Sequence, residues 1–194
     1  MKLASKREYL NYYKNFVLCL PHIIVFLFHR KRSVIQADII RNLEEIVVEC
    51  RSISGLIYLF TFMPSFRNVF YYRIQPLDFI LKIFCWPLST LVIRTDFIGA
   101  GFVVPNGFAT AIGAKSIGNN CSISQQVTIG ASNYGSPTIM NDVTIYAGAI
   151  VFGNITIGNN VVIGANATVF TDVPDNSTVL PGTSKIMKWK KKTP

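Results

Sequence analysis

Side chains able to serve as acid, base, nucleophile or metal ligand are scarce in this sequence, and their spacing narrows the chemistry open to it. The chain of 194 residues contains two histidines, His22 and His29, both near its amino end. Its four cysteines, Cys19, Cys50, Cys85 and Cys121, are far apart and form no CxxC pair. Neither a zinc site nor a disulfide framework is expected, and a reduced cytoplasmic setting is the simplest reading. Asp142, Asp172 and Asp175 stand at turn positions of a repeat, where structure alone accounts for them. Tyr134 lies in the segment ASNYGSP, which interrupts that repeat and could reach a groove, but a phenol is a weak base at neutral pH. Asn106 cannot abstract a proton, although its amide can orient an acceptor.

The repeat itself is the strongest signal in the chain. Ile139, Ile145, Val151, Ile157, Ile163 and Val169 follow one another six positions apart, as do Ile117, Ile123 and Ile129. That period fits neither a helix nor an alternating strand. It predicts a parallel β-helix of hexapeptide units, each sending one aliphatic side chain into a shared core. Three positions after the anchors stand Asn120, Asp142, Gly148, Asn154, Asn160, Asn166 and Asp172, types that tolerate the left-handed backbone of a recurring turn. The next positions, including Cys121, Val127, Val143, Ala149, Ile155 and Val161, form a second inward set, so Cys121 is read as core.

The rhythm fails twice. Ten positions separate Ile129 from Ile139 and thirteen separate Val104 from Ile117, so loops around ASNYGSP and PNGFATAIGAKS must leave the coil. In a three-faced rod, two such departures can flank one groove, and breaks in a regular pattern are where function is expected.

The amino half has helical character. Ile39, Leu43, Ile46, Val47 and Cys50 recur at helical spacing, with Asp38 as a candidate N-cap and Gly55 as a candidate interruption. Pro64 suits the first turn of a further helix. The aromatic stripe Phe60, Phe62, Phe66, Phe70, Tyr71 and Tyr72 is expected to pack rather than bind a ligand. The apolar runs Asn15 to Phe28 and Phe79 to Ile93 are shorter than the roughly 20 residues of a spanning helix, and each contains proline. The first lies between basic clusters, as an interfacial helix on anionic lipid would. The expected division is a helical region over 1–97, the β-helix over 98–184 and a basic tail over 185–194.

Charge follows that division. The net charge of +9 is carried by the amino half and by five lysines from Lys185 onward, whereas residues 98 to 184 contain Lys115 alone against Asp142, Asp172 and Asp175. Basic ends suit phosphates or a membrane surface. Nucleic-acid binding is not expected, because the β-helix lacks a basic stripe.

These residues resemble a family. The hexapeptide units, the loop ending SPTI, QQVTIG (Gln125 to Gly130), IGAN (Ile163 to Asn166), the exit DVPDNSTV (Asp172 to Val179) and the preceding FMPSFRNVFYYRI are similar to hexapeptide-repeat acyltransferases. The branch most resembled is that of serine O-acetyltransferases and their relatives in capsule and exopolysaccharide biosynthesis. The resemblance implies a left-handed β-helix, a homotrimer with acetyl-CoA between subunits, and transfer of an acetyl group to an acceptor hydroxyl without a metal. It implies a catalytic histidine where this chain has Asn106, and a second histidine where it has Ser136. It also implies CoA contacts at Ala147, Gly148, Gly164, Ala165 and Lys185, the last in PGTSK, a partial match to the family's closing motif. The acidic residue that precedes the family's histidine is replaced by Pro105, which points away from serine and toward a sugar or polysaccharide-precursor hydroxyl. Two functions are therefore expected: a cytoplasmic O-acetyltransferase, at the inner face of the membrane if the amino half contacts lipid, or a CoA-binding scaffold that has lost its catalyst.

Overall fold

The computed structural model describes residues 6–48 and 52–182. Among them, α1 (Lys6–Phe28), α2 (Arg32–Glu45), α3 (Ser52–Phe62), α4 (Pro64–Arg73) and the short α5 (Asp78–Leu81) precede a parallel β-helix. Its strands are β1 (Leu91–Ile93), β2 (Phe97–Ile98), β3 (Thr110–Ile112), β4 (Ser116–Ile117), β5 (Ser122–Ile123), β6 (Thr128–Gly130) and β7 (Thr138–Ile139). They continue through β8 (Thr144–Ile145), β9 (Ile150–Phe152), β10 (Thr156–Ile157), β11 (Val162–Ile163), β12 (Thr168–Val169) and β13 (Thr178–Val179). The first strand thus begins ahead of residue 98.

Three sheets form the faces of the rod. The first runs β1-β3-β6-β9-β12, the second β2-β4-β7-β10 and the third β5-β8-β11-β13, and each coil visits them in that order. The six-residue anchors are the stacking positions. Ile117, Ile139 and Ile157 align in the second sheet, Ile123, Ile145 and Ile163 in the third, and Ile129, Val151 and Val169 in the first. All are buried in one continuous core with Val127, Val143, Ala149, Val161 and Cys121. Burying each aliphatic side chain contributes about 1.5–3 kcal/mol before chain ordering is counted, so the ladder supplies the rod's cohesion. The gap before Ile117 closes through Ile112, a buried anchor that stacks on Ile129.

Left-handed turns recur in coil after coil at two of the three corners. Between the second and third sheets they are Gly101, Asn120, Asp142, Asn160 and Asn176; between the third and first they are Ala109, Gln126, Gly148 and Asn166. Asn154 and Asp172 do not adopt this backbone. Near the corner between the first and second sheets it is Gly153 that does, while Asp172 accepts the Thr156 N–H at 2.7 Å. That corner follows a different path, so residue type at the third position does not report its dihedrals.

Several helix boundaries also differ from expectation. Helix α2 starts at Arg32, which puts Asp38 inside it and fully buried rather than at its N-cap. It ends at Glu45, Val47 takes a positive φ of 55°, and Gly55 is buried within α3. Pro64 opens α4 as the sequence indicates. Phe60, Phe66, Phe70 and Tyr71 pack with ring centroids 5.1 to 6.3 Å apart and are core, whereas Phe62 and Tyr72 are half-buried.

The helices close the amino-terminal end of the rod through side-chain donors. Asn68 donates to Leu91 O at 3.0 Å, capping the edge of the first sheet. Arg73 donates to Ile98 O and, at 2.6 Å, to Gly99 O, capping the second. At the start of the third face, Ser65 Oγ donates to Val104 O at 2.6 Å and Asn42 Nδ2 to Phe102 O at 3.0 Å. An unpaired edge invites association, and here its carbonyls meet buried donors. Asp38 organises the junction. Its carboxylate accepts from Arg73 Nε at 2.8 Å, from Arg73 Nη2 at 3.2 Å and from the Phe102 N–H at 2.8 Å. Burial pushes this carboxyl above its ordinary value, against the pull of Arg73 and of the Phe102 and Gly101 amides.

Candidate functional site

The corner between the third and first sheets gathers most of the residues singled out above. Asn106 is exposed at its amino-terminal end, in a loop held down by the buried Gly107. A Cβ on Gly107 would lie 2.8 Å from the Leu91 side chain and 3.2 Å from Ser65, so the loop sits directly on α4 and β1. From there the corner continues coil by coil through backbone bonds. Gln126 N–H donates to Phe108 O at 2.8 Å, Gly148 N–H to Gln125 O at 3.2 Å, and Asn166 N–H to Ala147 O at 2.9 Å. Asn106, Ala147, Gly148, Gly164 and Ala165 therefore lie along one edge of the rod. At Gly148 φ is 74° and a Cβ would lie 2.1 Å from Asn166 Oδ1, so a side chain there would be strained unless Asn166 moves. The result is a backbone-rich strip bordered by the exposed rings of Phe108 and Tyr146, suited to amide contacts with an extended ligand.

Tyr134 and Ser136 are elsewhere. Their loop leaves the rod between β6 and β7, at the corner between the first and second sheets. Within it Ser132 and Gly135 exchange backbone bonds of 2.9 and 3.2 Å, the Tyr134 N–H donates to Ser132 Oγ at 3.1 Å, and the Tyr134 ring is 88% exposed. The width of the first sheet, about 10 Å for a three-residue strand, separates this corner from Asn106. One chain therefore does not bring Asn106 together with Tyr134 and Ser136. Lys185 lies outside the described residues.

On the outer face of that sheet, beside the loop, is an open groove of about 420 Å³. Gly113 and Gly130 form part of its floor, and Arg94 and Thr128 supply polar groups. Arg94 was not singled out in the sequence, where it counts only as one more cation of the basic half; its position after β1 gives it a place on the groove.

The histidines are not part of this geometry. His22 is buried in the helical region, 2.9 Å from Tyr71 Oη, and burial pushes its pKa down to about 4, so it is neutral at physiological pH. His29 is partly exposed at the end of α1. Cys121 is buried, its thiol pushed up to about 11 by burial, and it donates to Met140 O at 3.2 Å. Asp142 and Asp175 accept from Asn120 and Asn159, as turn residues do. Among the described residues no group of three or more His, Cys, Asp or Glu could hold a metal ion.

Comparison with known proteins agrees with this architecture. Residues 136–171 match the family model described as bacterial transferase hexapeptide (six repeats). Against curated protein sequences the chain has no significant match. Among solved structures it is similar to serine acetyltransferase isoform 3 from Entamoeba histolytica in complex with cysteine, with 27% identity, 91% of this chain and 66% of that chain covered, and a TM-score of 0.56. It is also similar to a serine acetyltransferase in complex with CoA, with 25% identity, 75% and 65% coverage and a TM-score of 0.61. The serine acetyltransferase of Neisseria gonorrhoeae in complex with serine shares the fold at 23% identity, covering 95% of this chain and 85% of that one, with a TM-score of 0.63. The chain thus spans just under two thirds of the length of some of these enzymes. It is a hexapeptide-repeat parallel β-helix with an amino-terminal helical region, built along the lines of the serine acetyltransferases.

Proposed function

We propose that the protein is an acyl-CoA-dependent O-acyltransferase that transfers an acetyl group from acetyl-CoA to a hydroxyl acceptor. The observation that carries this reading is the backbone-rich edge from Asn106 through Ala147 and Gly148 to Gly164 and Ala165, in a rod similar to a serine acetyltransferase crystallised with CoA. In the transfer, the acceptor oxygen attacks the thioester carbonyl, the C–S bond breaks as the ester C–O bond forms, and the hydroxyl proton ends on the departing thiol. Stabilising the tetrahedral oxyanion would fall to edge amides other than those of Gln126, Gly148, Gly164 and Asn166, which already bond the neighbouring coil. Since Asn106 and the Tyr134 loop occupy different edges of one chain, a site that uses both either spans the outer face of the first sheet or draws on the loop or edge of a neighbouring copy, and the second arrangement favours a homotrimer. We assign the acceptor to sugar or polysaccharide-precursor hydroxyls, because Pro105 leaves no carboxylate beside Asn106 to hold an amino-acid ammonium group.

A positioned base contributes about 100- to 10,000-fold, and this chain has no histidine in its coils. Turnover is then slow, or relies on a group such as Tyr134 or on the substrate itself. The same fact favours a second reading, a CoA-binding relative that scaffolds other enzymes. Release of CoA from acetyl-CoA, with serine and a panel of sugars as acceptors, separates the two when measured beside Asn106→His. Sugar-dependent release by the unaltered protein supports the transferase. CoA binding without turnover, with release appearing only in Asn106→His, supports the scaffold.

A further inference from the structure

Helix α1 buries one face and leaves the opposite one bare. Cys19, His22, Ile23 and Phe26 point into the helical core, whereas Tyr13, Phe16, Val17, Leu20, Ile24 and Phe28 are exposed, Val17 by 62% and Phe28 by 84%. At 100° per residue these six lie within one sector about 120° wide, and no charged side chain interrupts it. The face extends for 16 residues, about 24 Å at 1.5 Å per residue.

A second apolar surface is exposed elsewhere in the helical region. Phe79, Ile83 and Trp86 are exposed by 70%, 73% and 77%, in the segment that includes α5. That segment is anchored on the inward side of α1, where Tyr71 Oη bonds both His22 and Cys85 O and the Cys85 thiol faces Leu18 O, so it does not extend the outer face. Cations flank the helix face: Lys14 at one end, and Arg30, Lys31 and Arg32 just past the other. No described carboxylate pairs with them; the described ion pairs are Arg41 with Glu45, Arg73 with Asp38 and Lys82 with Asp78.

We propose that the outer face of α1 docks the protein on an anionic lipid surface. Apolar side chains bordered by cations without carboxylate partners match the boundary between acyl chains and acidic headgroups. The helix lies in that boundary, because among the described residues no helix is long and apolar enough to cross a membrane. This surface is independent of the transferase reading, and partitioning can be measured without turnover.

The test is co-sedimentation of the full chain with phosphatidylcholine vesicles, with and without phosphatidylserine, at physiological salt. The expected result is partitioning that requires phosphatidylserine and falls about fivefold for each cation neutralised in Lys14→Gln and Arg30→Gln. Val17→Asp and Ile24→Asp place charge on the exposed face without entering the core, and each should lower partitioning about tenfold while leaving the circular dichroism spectrum unchanged. Both variants retain the lysine-rich carboxyl terminus. Binding that survives them is adsorption through those lysines and overturns the proposal. Sedimentation velocity showing self-association of the unaltered protein that these aspartates abolish, with no vesicle binding, also overturns it and makes the face a contact between copies.

Discussion

Replacing Asp38 with alanine tests whether the helices hold the end of the rod through charge and hydrogen bonds. The carboxylate is 1% exposed and accepts two bonds from Arg73, at 2.8 and 3.2 Å, and one from the Phe102 N–H at 2.8 Å. Its removal leaves the guanidinium of Arg73, 3% exposed, with the carbonyls of Ile98 and Gly99 and the Tyr72 ring but no anion. Breaking one partner of a buried pair costs about 3–5 kcal/mol. The orphaned amide costs about 1–3 kcal/mol by itself, but the two losses share a site and do not add fully. A destabilisation of about 4 kcal/mol is expected, a large part of the 5–15 kcal/mol typical of a domain. Urea unfolding followed by circular dichroism measures it, and hydrogen exchange at Gly99 to Phe102 should report the first coil opening. The double variant Asp38→Leu with Arg73→Met removes both charges but leaves the Ile98 and Gly99 carbonyls and the Phe102 N–H unpaired, so it should recover only part of the loss. A single-variant cost below about 1 kcal/mol, or a double variant no better than the single, would refute this account of the junction.

Three further outcomes follow from the same geometry. Gly148→Ala adds a Cβ at positive φ against Asn166 Oδ1, so stability should fall by about 1–2 kcal/mol and CoA affinity, measured calorimetrically, should fall with it. His22 stays neutral when folded down to about pH 4, whereas its unfolded form takes a proton near pH 6.5. The unfolded state therefore binds more protons in that window, and stability should decline as pH falls through it, by roughly 3 kcal/mol in all; His22→Gln should lose that slope in denaturation curves. The Cys121 thiol, buried and pushed up to about 11, should react with a thiol reagent only after unfolding, as peptide mapping of labelled protein would show.

The β-helix was legible because one physical requirement recurs at a fixed interval. Every six residues an aliphatic side chain must meet the shared core, and Ile145, for example, stacks between Ile123 and Ile163 as that period demands. Corner geometry was less legible, because asparagine has more than one use in such a rod. Asn120, Asn160 and Asn166 take the left-handed backbone. Asn119, Asn141 and Asn159, each just ahead of a left-handed turn at 120, 142 or 160, instead accept, through Oδ1, from the N–H of residues 100, 119 and 141 one coil earlier, at 2.9 to 3.2 Å. A doublet such as NN therefore encodes a turn and a ladder together, and residue type alone does not separate them.

Asp38 shows a different limit. An aspartate followed by Ile39 and Ile40 has the local signature of an N-cap, and nothing nearby in sequence indicates that Arg73 will face it. The partner is 35 positions away, on another helix. The competing fact is tertiary: the end coil exposes carbonyls that need donors, Arg73 supplies two of them, and a buried guanidinium in turn needs an anion. The candidate site is limited in the same way. Its backbone edge could be inferred from the repeat, since residues one coil apart must stack. Asn106 and Tyr134 were legible only as two breaks in rhythm, and a break carries no information about which face it leaves. Counting strands around the rod resolves this: Asn106 precedes the first sheet and Tyr134 follows it. Whatever chemistry joins them therefore has to reach across the outer face of that sheet or come from a second copy of the chain.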